Sequence, residues 1–231
     1  MLLSKLALFW NNGVGGLELV FYALTPDDAE TLAQSPATTA FRHFEVNEAA
    51  LGEAGVKAIL SARWIKNVEH LDLFGQKAGD GIASHLMSLS GGAIEVLELL
   101  HNNLGLASAH ALGGIDLTNL RQLTLSYNPL GDEGAAAIFR NKTLMNLAHV
   151  NMQGVGAGPS TARAIAENEH LRSLKTLWLG DEIGVAGAAM LAEAPHLASL
   201  AAAHLGGIPV SEQARLRGSP FLRKTRVTVY G

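Results

Sequence analysis

One pattern returns along this chain every 26 or 27 residues, and a fixed period of that size restricts the fold to a stack of small repeated units. The most regular copy occupies residues 120–134 and reads L-x-x-L-x-L-x-x-N-x-L before a glycine-rich helix start. Leu123 and Leu125 alternate as a short strand with one buried face requires. Asn128 stands at the bend after the strand, where its side chain can satisfy turn backbone. Leu130 turns inward, and residues 135–139 read as a small-residue helix. The same strand signature recurs upstream at Leu97-Glu98-Leu99, Leu71-Asp72-Leu73, Phe44-Glu45-Val46 and Leu17-Glu18-Leu19.

Downstream the pattern loosens. Ala148-His149-Val150 with Val155-Gly156 keeps the register, then adds about two residues before Ala164-Ile165. Leu177-Trp178-Leu179 is a clear strand whose Ile183-Gly184 arrives one residue early. Leu200-Ala201-Ala202 is weaker, and Val227-Thr228-Val229 reads as a closing strand. Leu3 and Leu6 fit the helix slots of a unit whose strand is missing, so the chain is expected to begin on a helix. Helix starts follow the turns. In Thr25-Pro26-Asp27-Asp28 a capping threonine precedes a first-turn proline and acids that favour the helix dipole.

The series around Leu123, Leu125, Asn128, Leu130, Gly131, Gly134, Ala137 and Ile138, with its match from Leu97, resembles the ribonuclease-inhibitor-like class of leucine-rich repeat proteins. That resemblance implies an α/β fold, a leucine-rich repeat solenoid (horseshoe) with parallel strands on the concave face and helices on the convex face. It covers residues 1–231 as a single domain of about eight strand–helix units, with strands near 17, 44, 71, 97, 123, 148, 177 and 200 and a terminal strand near 227. The asparagine position is kept at Asn102 and Asn128 but reads Tyr22, Ala49, Gln76, Gln153 and Leu205 elsewhere, which predicts an interrupted asparagine ladder.

Composition excludes several function classes. A net charge of -4 gives no drive toward nucleic acid or an anionic membrane. With no cysteine, disulfides and thiolate chemistry are excluded. The apolar N-terminus has no basic leader and breaks at Asn11-Asn12-Gly13, and no run approaches the roughly 18 apolar residues of a membrane helix. The expectation is a cytoplasmic protein.

Residues that alternate with the inward leucines face the concave surface. The central outward position reads Glu18, Glu45, Asp72, Glu98, Thr124, His149, Trp178, Ala201 and Thr228, which sets four carboxylates on neighbouring strands about 4.8 Å apart. His43 and His70 lie one strand position earlier. Like charges facing across strands are destabilising, so such a ladder invites a reason. Three readings stand open: a stripe that receives a basic segment of a protein partner, a divalent cation between histidines and carboxylates, or a solvated polar face. Phe74 and Leu100 occupy the next outward position, and Phe74 and Trp178 are candidate apolar anchors. Arg215, Arg217, Arg223, Lys224 and Arg226 make the C-terminal end basic, suited to an acidic partner, another copy, or plain solvation.

Enzyme signatures are scarce. Residues 154–161 superficially resemble a phosphate loop but lack its lysine, and no H-E-x-x-H or G-x-S-x-G spacing occurs. No catalytic residue, cofactor or metal is assigned. The primary expectation is a non-catalytic protein–protein interaction module working through its concave sheet. The second is a structural or regulatory repeat module of a larger protein or assembly. A GTPase-activator-like regulator, a role found in the wider class, is the third. The sequence assigns no oligomeric state.

Overall fold

The computed structural model describes residues 6–10, 17–22, 24–35, 41–47 and 49–230. Strands and helices alternate: β1 (Leu6–Trp10), β2 (Leu17–Tyr22), α1 (Pro26–Gln34), β3 (Phe41–Asn47), α2 (Gly52–Leu60), β4 (His70–Asp72), α3 (Ala83–Leu86), β5 (Val96–Glu98), α4 (Leu106–Gly114) and β6 (Gln122–Thr124). They continue as α5 (Gly131–Phe139), β7 (His149–Asn151), α6 (Pro159–Glu167), β8 (Thr176–Leu179), α7 (Gly184–Ala192), β9 (Ala202–Gly206), α8 (Val210–Gly218) and β10 (Arg226–Tyr230). The ten strands join one open sheet in sequence order, parallel from β2 to β10. This is the architecture of a leucine-rich repeat solenoid.

The start of the chain differs from expectation. β1 runs antiparallel to β2, with Leu8 opposite Leu19, so Leu6 lies in a strand and not in a helix. Apolar residues three apart satisfy a helix template, but Leu6, Leu8 and Trp10 equally satisfy a period of two, and a neighbouring strand edge settles the choice. Leu3 and the break at residues 11–13 lie outside the described residues.

The core is one continuous slab. Phe44, Leu71, Leu97, Leu123, Val150, Leu177 and Ala203 occupy a single buried row, register-matched from strand to strand. Helices pack closely behind it. A Cβ at Gly113 in α4 would fall 2.5 Å from the Ala137 carbonyl of α5, so only glycine permits that approach.

Three kinds of polar ladder tie each unit to the next. At the turns, the Asn128 amide donates to the Leu99 and Leu125 carbonyls while its oxygen accepts from the Asn102 and Leu104 N–H groups. Asn102 repeats this toward Leu73 and Ala78. Gln76, fully buried, donates to Val46 and Phe74 carbonyls and accepts from Leu51 N–H. Its extra methylene does not break the ladder, so the predicted interruption does not occur there. On the helical side, helix ends are closed by the next unit: Trp64 donates to Leu32, Asn141 to Leu112, Asn168 to Phe139 and Ser219 to Ala192. At helix starts, Asp80 accepts from Gly105, Ala107 and Ser108 N–H, and Asp132 from Gly158, Ser160 and Thr161 N–H. Burial pushes both carboxyls up, but these donated hydrogen bonds outweigh it and hold both below the usual value. Their stabilisation is present above the unfolded-state pKa and is lost as pH falls through the depressed folded value.

Candidate functional site

The sheet face opposite the helices carries the chemistry, and strand register decides which side chains share it. The central outward row reads Glu45, Asp72, Glu98, Thr124, Asn151, Trp178, His204 and Thr228. One position earlier lie His43, His70, Val96, Gln122, His149 and Thr176.

Three predicted positions shift. Glu18 pairs with His43, and Val20 pairs with Glu45. Glu18 therefore begins the histidine row, and the ladder holds three consecutive carboxylates instead of four. His149 likewise yields its place to Asn151, and Ala201 to His204. At Glu18 and His149 the slip is two residues, which leaves the in–out alternation intact and so leaves no trace in the pattern. With Val150 matched to Leu123, Ala164-Ile165 follows Ala137-Ile138 by the same 27 residues, and the two extra residues of that unit vanish.

Glu45, Asp72 and Glu98 stand on adjacent strands with half-buried side chains. His43 Nε2 lies 3.3 Å from Glu45 Oε2, the His43 and His70 ring centres are 4.1 Å apart, and His70 Nε2 lies 3.9 Å from Glu98 Oε2. Gln122 donates to Glu98 at 2.8 Å. Burial raises the Asp72 carboxyl to about 6; the Phe74 N–H opposes that, and the neighbouring Glu98 and Glu45 charges add to it. Among the described residues, these two rows contain a lysine or arginine only at Arg226. Arg42 and Arg121, on the rim, are engaged by Glu69 and Glu95. A carbon-13 titration of Asp72 is expected to show a midpoint near 6. Glu98→Gln should lower it; a midpoint unchanged by that substitution refutes the charge coupling. Because the folded pKa is raised, Asp72 erodes stability as pH rises from its unfolded value through about 6.

The cation reading is not supported, since no three His, Asp or Glu side chains among the described residues converge as a metal requires. The glycine-rich loop is likewise explained by the fold. The Val155, Gly156 and Ala157 N–H groups all donate to Asp181, so they are not open to a phosphate.

A second feature runs along the turn edge. Phe74 lies edge-on to His101, and the His101 and Tyr127 rings stack 4.5 Å apart at 8°. Phe74 and Tyr127 are exposed. His101 and Tyr127 take φ of 55° and 57°, at the turn position where Gly154 holds the same left-handed backbone without strain. Sequence reading found Phe74 but missed His101 and Tyr127. The available signal was a ring in the slot that another unit fills with glycine. Trp178 is outward as expected and stacks on His204, with ring centres 3.9 Å apart.

No family model matches the chain. It is similar to Tonsoku-like protein of Bos taurus, 30% identical over 145 residues, a match covering 58% of this chain. The chain spans 11% of the length of that relative. Among the described residues no helix is long and apolar enough to cross a membrane.

Proposed function

We propose that this chain is a non-catalytic protein-interaction module whose open sheet face receives a basic segment of a partner protein at Glu45, Asp72 and Glu98. The observation that supports this is three register-matched carboxylates in rows that, among the described residues, carry a lysine or arginine only at Arg226, five strands from Glu98. Burial, with the repulsion of the neighbouring carboxylates added to it, raises Asp72 to about 6. A lysine or arginine laid across the row relieves that repulsion and turns it into affinity for a cationic partner. A unit of 26 or 27 residues with a full helix supports the ribonuclease-inhibitor-like type.

The test is fluorescence anisotropy with a labelled lysine- and arginine-rich peptide. The double variant E45K/D72K is expected to weaken binding by about 100-fold, from loss of two desolvated charge contacts. Wild-type affinity should fall with added salt and rise between pH 5 and 7 as Asp72 ionises, in step with its value of about 6. Equal affinity of the two proteins refutes the reading.

The 11% coverage of the relative favours a second reading, a structural or regulatory segment of a longer protein. An isolated chain that sediments as a stable monomer and melts cooperatively removes its support.

A further inference from the structure

The row that begins with Glu45, Asp72 and Glu98 continues across Thr124 and Asn151 to Trp178 and His204. Three strand steps separate Glu98 from Trp178, about 14 Å at the usual strand spacing. The His204 imidazole covers the Trp178 indole from the side of β9, with the planes at 26°. The opposite indole face therefore looks back along the row toward Asn151, and the residue is 37% exposed.

The two ends differ in charge. At the far end burial disfavours the charged form of His204, and the neighbouring Arg226 charge disfavours it further. The Arg226 charge opposes a second cation at this end, whereas a neutral aromatic ring finds a flat partner on Trp178. Between the ends, Thr124 and Asn151, both half-buried, form a neutral floor beside Gln122. The Thr124 hydroxyl and the Asn151 amide nitrogen there match the needs of an extended peptide, whose own N–H and C=O groups are unpaired; a helix satisfies its backbone internally.

Resting on the basic-segment reading above, we infer that the partner segment is extended and bipartite, with a basic cluster over the three carboxylates and an aromatic side chain stacked on the open face of Trp178. An extended chain advances about 3.4 Å per residue, so about four residues separate the two parts. The row is thus a ruler: Asp72 and its neighbours supply charge attraction, and Trp178 supplies selection by spacing.

The probes are labelled peptides with three arginines and one tyrosine, joined by serine–glycine spacers of one, four or seven residues and made in both chain orders, with the tri-arginine peptide alone as reference. In one order, the spacer of four is expected to bind about 10-fold tighter than either other spacer, the effect of one well-seated aromatic anchor. Trp178→Ala should remove that advantage and leave the tri-arginine peptide unaffected, while Trp178→Phe, which keeps a ring, retains part of it. Equal affinity at all three spacings, or an advantage that survives Trp178→Ala, overturns the inference and leaves the charge reading standing. Failure of every arginine peptide to bind the wild-type protein overturns both.

Discussion

Asn128→Ala is expected to destabilise the protein by about 4 kcal/mol, although the side chain's hydrogen bonds reach only its own unit and the one before it. The residue is wholly buried, with its amide 2.8 Å from the Leu99 carbonyl and 2.7 Å from that of Leu125. Its oxygen accepts from Asn102 N–H at 2.9 Å and Leu104 N–H at 3.0 Å. Alanine leaves these backbone groups without partners, each a loss of about 1–3 kcal/mol before water or relaxation recovers part of it. For a chain of this size the melting temperature should fall by roughly 10 °C. Asn128→Asp separates the two halves of the effect: a carboxylate keeps the acceptors, loses the donors, and adds a buried charge. Calorimetry with the alanine variant within 1 kcal/mol of wild type contradicts the ladder's role.

The same residue shows what the sequence makes legible. Asn128 belongs to the repeated signature, and the signature follows from burial: each Leu at an inward position must have a counterpart one unit on, or the slab has a hole. The strand–helix order and the inward row from Phe44 to Leu177 were therefore readable. Register within a unit was not always readable. Leu17-Glu18-Leu19 satisfies the strand template, and so does Leu19-Val20-Phe21, because a shift of two preserves which side chains face the core. Only pairing with β3 chooses between them, and that pairing places Glu18 opposite His43. Candidate site positions are harder still, since they are the unconstrained letters of the motif. Nothing in L-x-x-L-x-L-x-x-N marks His101 and Tyr127, whose rings stack across units because the turns superpose. Gln76 and Asp181 illustrate the converse. Both depart from the asparagine letter, yet each accepts hydrogen bonds from the preceding turn, because the fold asks for an acceptor at that point.

Trp64→Ala is expected to be of similar size, about 4 kcal/mol, but to act on one end of the molecule. Trp64 is 1% exposed, its ring centre lies 5.0 Å from that of Phe44, and its indole N–H donates to the Leu32 carbonyl at the end of α1. One side chain thus fills the core behind β3 and closes the helix of the preceding unit. In a solenoid each unit contacts only its neighbours, so lost energy is not shared evenly along the chain. Hydrogen exchange should show α1, β3 and α2 losing protection while β6, β7 and β8 keep theirs; Asn128→Ala, at the middle of the stack, should weaken the units on both sides. Trp64→Phe restores the packing but not the hydrogen bond to Leu32, and is expected to recover most of the loss. The substitution also reaches the open face. Phe44, which packs on Trp64, immediately precedes Glu45, so freeing Phe44 loosens one of the three carboxylates. Binding of an arginine peptide should weaken, while the dependence on spacer length set by Trp178 persists. Uniform loss of protection along the whole chain contradicts this nearest-neighbour account.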